Sequence, residues 1–320
     1  MRTIRLSDQV DLSVITMGDS KRGVPEHEQE TFRVMDRYRE LGGNTFDSAR
    51  IYDDGGADRA LGKWMRSRGV RREAVRIVTK GNHPPLSDMF ASRLSKEEIE
   101  RDLTESLSFI GIECSDLHML HRDDVQKPVE EIMPALDGLV KAGKTRAIGV
   151  SNWTVTRIIE ANEFAHANGL EPIRACQMHF SLAQLTAMGG KDLTYCPMND
   201  IEMGWYKESR LPVMCFGAHA RGWFAATAAG KAPREELARY YGVLPENQRR
   251  AVRLQRLAGK LGKSVAAVCT AYVRDSGLNA VVLSSFTKIS QLEEAMEAET
   301  FALTPEQIKY LETGADSKDR

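Results

Sequence analysis

The sequence has few of the features typical of nucleic-acid-binding, membrane-spanning or disulfide-stabilised proteins. Its 44 lysines and arginines are balanced by 45 aspartates and glutamates, so it lacks the excess positive charge that binds nucleic acid or an acidic membrane surface. No apolar run approaches the roughly 18 residues that a membrane span requires. We therefore predict a soluble protein whose partner is a small molecule, and neither a nucleic acid nor a membrane.

Cysteines are few and irregularly spaced. The five are Cys114, Cys176, Cys196, Cys215 and Cys269, an odd number without a Cys-x-x-Cys pair, which argues against a disulfide framework or a zinc site. The first residues also lack the apolar core of a signal peptide. From these absences we expect a cytoplasmic protein without a metal centre.

Short β-rich runs alternate with amphipathic helical patterns along most of the chain. The eight predicted strands are Val14–Met17, Asn44–Phe46, Val75–Thr79, Asp116–Leu120, Thr145–Gly149, Ile173–Gln177, Val213–Phe216 and Ala280–Ser284. The predicted helices include Pro25–Leu41, Ala57–Ser67, Lys96–Ile110, Val129–Ala142, Val155–Asn168 and Ala251–Leu261. Eight such units predict a single α/β domain over residues 1–320, a closed (β/α)8 barrel with its active site at the carboxyl ends of the strands.

The alternative fold is a doubly wound open sheet. Such a sheet usually carries a G-x-G-x-x-G turn after its first strand, and the stretch Gly18–Gly23 is a weak substitute for that turn. Two segments, Ala187–Arg210 and Ala225–Gly242, are longer than typical barrel loops. We expect them to form a helix or lids over the site and to determine substrate selectivity.

Residues capable of chemistry follow several of the predicted strands, so a barrel would gather them at one rim. They are Asp47, Tyr52, Lys80, His121, Ser151, Asn152, Gln177, Phe216, Ser284 and Ser285. Each alone has an ordinary structural explanation, such as a turn cap for Asp47 or a core position for His121. It is the clustering that indicates a functional site.

Tyr52 is the candidate proton donor. A free phenol has a pKa near 10, and an ammonium from Lys80 about 4 Å away would lower it by roughly three units before burial opposes the effect. Asp47 would keep Lys80 charged and oriented, and His121 would hydrogen-bond a substrate oxygen. An acid that protonates oxygen needs a partner that delivers electrons to the neighbouring carbon, which predicts a hydride cofactor.

The polar side chains after the next strands suit such a cofactor. Ser151, Asn152 and Gln177 are suited to pairing with a planar carboxamide, and Phe216 offers an apolar face to a stacked ring. Phe216 taken alone is more often a core residue.

Four motifs, taken in order, resemble those of the aldo-keto reductases: Gly43–Ala49 with Tyr52, Thr79-Lys80, Asp116–Arg122 and Gly143–Trp153. The resemblance extends from about Met17 to Glu312. It implies an NAD(P)-dependent barrel enzyme in which Tyr52 is the general acid, Lys80 lowers its pKa, Asp47 pairs with Lys80 and His121 positions the carbonyl. It also implies that the loop after the seventh strand lines the cofactor pyrophosphate; its assigned residues are Gly217 and Arg221.

The sequence departs from the family pattern in two places. Phe216 replaces the usual tyrosine or tryptophan, which should preserve stacking. In Leu283–Ala295 the usual basic residue and Glu-Asn pair are only partly present, although Lys288 is suited to meeting a 2′-phosphate at a helix start. The residues assigned to this end of the cofactor are Ser284, Ser285, Lys288, Gln291 and Glu294. The expected cofactor is NADP(H), with NAD(H) as the alternative.

The leading hypothesis is reversible NAD(P)H-dependent reduction of an aldehyde or ketone to an alcohol. Arg122, Trp153 and His83 are the candidate substrate contacts, and their polar groups indicate a sugar, polyol or other hydroxylated carbonyl. The main alternative is a non-catalytic subunit that binds the nicotinamide and senses its redox state for a protein partner. The third hypothesis is a phosphate-binding barrel isomerase, which would need a Gly-rich phosphate loop after strands seven and eight. The complete tetrad favours the reductase.

Overall fold

The computed structural model describes residues 1–19, 22–186 and 194–315. In these ranges the strands are β1 (Thr3–Ser7), β2 (Val10–Ser13), β3 (Ile15–Met17), β4 (Thr45–Asp47), β5 (Arg76–Gly81), β6 (Leu117–Leu120), β7 (Ile148–Ser151), β8 (Ile173–His179), β9 (Val213–Phe216) and β10 (Ala280–Ser284). The helices are α1 (Glu28–Glu40), α2 (Gly56–Ser67), α3 (Lys96–Ile110), α4 (Val129–Lys141), α5 (Val155–Asn168), α6 (Asp200–Ser209), α7 (Trp223–Ala228), α8 (Glu235–Leu237), α9 (Pro245–Leu261), α10 (Val265–Arg274), α11 (Ile289–Met296) and α12 (Pro305–Thr313).

Strands β3 to β10 form a closed parallel barrel in chain order. Closure is made by β10, which pairs with β9 on one side and with β3 on the other. The main hydrophobic core lies between these strands and the surrounding helices. The predicted (β/α)8 barrel is therefore confirmed, and no helix of the described residues is long and apolar enough to span a bilayer.

An antiparallel hairpin, β1–β2, precedes the barrel, and the sequence analysis missed it. Its side chains Leu6, Val10 and Leu12 are buried in a second core. The barrel residues of that core are Val78, Leu117, Met119, Ala147, Ala175, Met214 and Val281. Arg76, the first residue of β5, forms an ion pair with Asp11 at 3.2 Å. The hairpin therefore covers the amino-terminal end of the barrel, opposite the expected active site.

The two long segments do contain helices, as predicted. In the first segment, Ala187–Arg210, residues 187–193 lie outside the described residues. Residues 194–199 lead into α6. The Asn199 side chain caps this helix by accepting hydrogen bonds from Ile201 N and Glu202 N. The second segment holds most of α7, then α8 and a wide helical turn over Ala238–Gly242. Their role in selectivity stays a prediction.

Candidate active site

The four residues of the predicted tetrad come from three consecutive strands and the turn after the first of them. Asp47 ends β4, Lys80 lies on β5 and His121 directly follows β6. Tyr52 begins a tight turn in which its amide donates to Ala49 O at 3.0 Å. The next residues, including Asp53 at φ 49°, have left-handed backbone conformations, which fold the chain back into α2. The tetrad is therefore gathered at the carboxyl rim.

Lys80 is held in a buried triangle with Asp47 and Gln177. Its Nζ lies 2.5 Å from Asp47 Oδ2 and 3.1 Å from Gln177 Oε1, and Gln177 Nε2 donates to Asp47 Oδ1 at 3.0 Å. Burial, the largest single effect, lowers the pKa of Lys80, but the charge and hydrogen bond of Asp47 together with those of Tyr52 outweigh it, and the pKa lies above its ordinary value. Lys80 is therefore an ammonium at neutral pH, and its partners offset the cost of burying it.

Tyr52 lies beside this ammonium, with Lys80 Nζ 5.1 Å from the centroid of its ring. Burial raises the pKa of Tyr52, the charge of Lys80 lowers it in part, and the charge of Asp47 raises it further. Lys80 does act to lower the pKa, as predicted, but desolvation of the phenolate is the larger effect, so the net pKa lies above its ordinary value of 10 instead of below it. Tyr52 is thus fully protonated at neutral pH.

His121 makes a T-shaped ring contact with Tyr52. The two ring centroids are 5.7 Å apart at 81°, and the His83 ring lies 4.7 Å from His121 on another side at 84°. Burial holds the pKa of His121 well below 6.5, and the charges of Lys80 and Arg122 lower it further. Its Nδ1 has no hydrogen-bond partner among the described residues. His121 is therefore a neutral imidazole at pH 7, suited to hydrogen bonding and not to carrying charge.

Ser151, Asn152 and Gln177 are brought together, as predicted. Ser151 Oγ donates to Gln177 O at 3.0 Å, and Asn152 Nδ2 donates to Ser151 Oγ at 2.9 Å. Asn152 has φ 59°, a left-handed conformation that asparagine tolerates better than most residues. The Gln177 side chain is in addition bound to the buried ion pair, a role that the sequence did not reveal.

Phe216 ends β9 with its ring partly exposed, and two rings that the sequence analysis missed contact it. The centroid of His179 is 5.5 Å away at 81°, and that of Tyr195 is 5.7 Å away at 63°. β8 continues two residues beyond its predicted end at Gln177, to His179. Because residues two apart face the same side of a strand, the Gln177–His179 spacing was the available signal.

The loop after β9 is tied to the segment that follows it. Arg221 Nη1 donates to Glu236 Oε1 at 2.9 Å, and its guanidinium lies 5.6 Å from the ring centroid of Tyr240. Gly217 has φ 82°. A side chain at Gly217 would be strained there and its Cβ would come within 2.6 Å of His179 Nε2.

The remaining cofactor candidates surround the start of α11. Ser284 is buried and its Oγ lacks a partner among the described residues, whereas Ser285 and Glu294 are exposed. Lys288 is the residue that precedes α11, and it lines a cavity of about 650 Å³ shared with the start of α1. Gln291 accepts from Thr287 N at 3.0 Å and so stabilises that turn.

The three substrate candidates have different surroundings. His83 Nδ1 is 2.6 Å from Pro84 O, and its ring contacts His121 as described above. Arg122 donates to Thr194 Oγ1 at 2.8 Å, with its guanidinium 4.9 Å from the Tyr195 ring centroid. Trp153 has no exposed surface and belongs to the main core. The structure therefore does not support a substrate contact by Trp153, because packing between strand and helix encloses it.

A (β/α)8 barrel with this tyrosine, lysine, aspartate and histidine at its carboxyl rim defines a class of barrel oxidoreductases. The family model described as the aldo/keto reductase family matches residues 15–315, and the chain belongs to that family.

Curated relatives are similar over most of their length. A norsolorinic acid reductase of Aspergillus flavus is 28% identical, the match covering 94% of this chain and 76% of the relative. An aryl-alcohol dehydrogenase of Pestalotiopsis microspora is 25% identical, with 89% and 72% covered. The crystal structure of an aldo/keto reductase from Klebsiella pneumoniae in complex with NADP and acetate matches with a TM-score of 0.73 and 21% identity, over 99% of this chain and 96% of that one, which shows the shared fold.

Proposed function

We propose that this protein catalyses the reversible NADP(H)-dependent reduction of an aldehyde or ketone to an alcohol, with Tyr52 as the proton donor. The observation that carries the proposal is the convergence of Tyr52, a charged Lys80 and a neutral His121 at one rim of the barrel. A protonated phenol, a cation that stabilises its phenolate and a neutral hydrogen-bond donor are what protonation of a carbonyl oxygen requires.

The nicotinamide cofactor, when bound, supplies the hydride. On the protein side, Phe216 would offer an apolar face to the nicotinamide ring, and Ser151 and Asn152 would hold its carboxamide. His121 donates a hydrogen bond to the carbonyl oxygen, and Tyr52 passes its proton to that oxygen as negative charge develops there. Lys80, held by Asp47 and Gln177, stabilises the resulting phenolate. In the oxidative direction the phenolate accepts the proton of the alcohol.

The residues present fit a phosphorylated dinucleotide. The hydroxyl of Ser284, at the end of β10, is buried and has no hydrogen-bond partner among the described residues. Lys288 immediately precedes α11, where free backbone N–H groups and the helix dipole favour an anion. These features, together with the NADP in the Klebsiella pneumoniae reductase, support NADP(H) over NAD(H).

For the substrate we propose an aromatic aldehyde or ketone. Tyr195, 39% exposed, lies against Phe216 and over Arg122, so the mouth has an aromatic wall next to the place assigned to the nicotinamide. The names of the relatives, a norsolorinic acid reductase and an aryl-alcohol dehydrogenase, favour the same class. The predicted sugar or polyol class depended in part on Trp153, which is a core residue.

The variant Tyr52→Phe tests the proposal. It removes the acid and leaves the cofactor cleft, so we expect reduction of benzaldehydes to fall by roughly 100-fold to 10,000-fold while NADPH binding, followed by fluorescence, changes little. Tyr310→Phe on α12 is the matched control and should keep wild-type turnover. Near-normal turnover of the Tyr52 variant would refute the assignment.

The same measurements separate the alternatives. If the protein reduces hydroxylated aliphatic aldehydes but not benzaldehydes, its substrate is a sugar- or polyol-derived carbonyl and not an aromatic one. A wild-type protein that binds NADPH but turns over neither group would be a nicotinamide-sensing subunit instead of a reductase.

A further inference from the structure

We infer that His179 is a positioning residue that fixes the plane of the Phe216 ring, and through that ring the height and tilt of the bound nicotinamide. The inference rests on the proposed function, because it takes Phe216 as the ring on which the nicotinamide stacks. His179 is not among the site residues predicted from the sequence.

The backbone places His179 beside Phe216. The two residues are register partners across the β8–β9 pair, and Phe180 N donates to Phe216 O at 3.0 Å. Met198 N donates to His179 O at 3.0 Å, so the segment that precedes α6 also secures this residue. The position of His179 is thus determined by two neighbouring pieces of backbone.

The His179 side chain is held on two further sides. Its Nε2 lies 3.2 Å from the hydroxyl of Tyr241, which is itself buried in the helical turn after α8. Gly217 leaves the space on the other side, because a Cβ there would come within 2.6 Å of Nε2. Only a glycine after Phe216 therefore permits this placement of the imidazole.

The contact with Phe216 is edge to face, at 5.5 Å between centroids and 81° between planes. Phenylalanine has no polar atom, so its side-chain rotamer depends on packing alone. Tyr195 supplies the other ring contact but is 39% exposed. His179 is 7% exposed and hydrogen-bonded, so it is the more rigid of the two supports.

The imidazole also has the charge state that this role requires. Burial lowers the pKa of His179 to about 4, and the charge of Arg221 acts in the same direction. A neutral ring packs against Phe216 at neutral pH without placing a cation beside the electron-poor nicotinamide of NADP⁺.

A double-mutant cycle between His179 and Phe216 tests the inference. His179→Gln keeps hydrogen-bonding capacity toward Tyr241 but removes the ring, so we expect kcat for carbonyl reduction to fall about tenfold, with little change in the KM of the carbonyl, because misplacement of the reacting ring slows hydride transfer. In the Phe216→Ala background the same substitution should change kcat less than about twofold, because the ring that it positions is gone. The exposed His166→Gln on α5 is the matched control.

His179→Phe keeps an aromatic ring at this position, so we expect it to recover most of the kcat that His179→Gln loses. If His179 were needed only for its hydrogen bond to Tyr241, His179→Phe would not recover kcat. If His179→Gln does not fold, His179→Leu serves in the cycle, because it fills the space without a ring; we then expect its loss of kcat to disappear in the Phe216→Ala background.

Equal losses in both backgrounds, or no loss at all, would overturn the positioning role while leaving the reductase intact. A wild-type protein that neither binds NADPH nor reduces carbonyls would instead refute the proposed function itself.

Discussion

Tyr52 contacts a charged lysine on one side and an uncharged histidine on another. Burial has opposite consequences for these two neighbours: Lys80 stays protonated because Asp47 accompanies it, whereas His121 loses its proton because no carboxylate does. The phenol itself keeps its proton because its own burial outweighs the lysine charge. This combination suits a site that must donate a proton without depending on the surrounding pH.

The pH dependence of the two directions should therefore differ. Reduction uses protonated Tyr52, whose pKa is raised above 10, so kcat for reduction should be flat between about pH 6 and pH 9. Oxidation uses the phenolate and should accelerate as pH rises through the same range. Measuring kcat in both directions across this range checks the prediction; a protonation step near pH 7 in the reduction profile would contradict it.

The residues that could be predicted were those with a local signal. Asp47, Lys80 and His121 each lie at or next to the end of a strand, and barrel topology alone brings such positions to one rim. The pKa of Tyr52 could not be predicted in the same way, because desolvation depends on side chains from distant parts of the chain. Trp153 was misassigned for the same reason.

At the scale of elements, the hairpin β1–β2 is the part that the sequence concealed. Its alternation of apolar and polar residues is visible around Val10 and Leu12, but it is short, and nothing in it shows that its apolar side covers the end of a barrel. The eight barrel strands were easier to predict, because strand and helix alternate regularly and each strand is buried on both sides.

The hairpin should contribute to stability but not to catalysis. Leu12 is fully buried in the second core, so we expect Leu12→Ala to lower the free energy of unfolding by about 2–5 kcal/mol. Turnover per folded molecule should stay at the wild-type level, because the hairpin lies at the other end of the barrel. Chemical denaturation and an active-site assay on the same samples measure both quantities.

Leu86→Ala is the matched control, since Leu86 is 80% exposed and the same atoms are removed. If both substitutions cost the same free energy, the hairpin is not part of the cooperative core.

At the scale of the whole molecule, several buried or half-buried histidines carry no charge at neutral pH. His118, His179 and His219 each have a pKa lowered to about 4 by burial. They lie on or just after different barrel strands, so their protonation would disturb the barrel at several places. Asp123 acts in the opposite sense, since burial raises its pKa to about 6.

Stability should therefore fall as the pH drops from about 6.5 to about 4. In this window the unfolded chain binds protons at these histidines and the folded chain does not, so each contributes up to about 1.4 kcal/mol of lost stability per pH unit. Asp123 offsets part of this loss, as do Asp19, Asp58 and Glu202, because burial raises the pKa of these carboxyls as well. We expect a clearly lower Tm at pH 5 than at pH 7, measured by calorimetry, and a shallower dependence in His118→Gln. An unchanged Tm would contradict the burial of these rings in the folded protein.

The closure of the barrel by β10 links the two ends of the sequence. Strand β3 has β10 as its partner on one side, and Val281 of β10 supports the hairpin as well. A fragment that stops before Ala280 would have two unpaired strand edges, on β3 and on β9, and a hairpin without part of its base. Exposed edges of this kind pair readily with other chains, so incomplete copies of this protein would be prone to aggregate, whereas the complete ring offers them no edge.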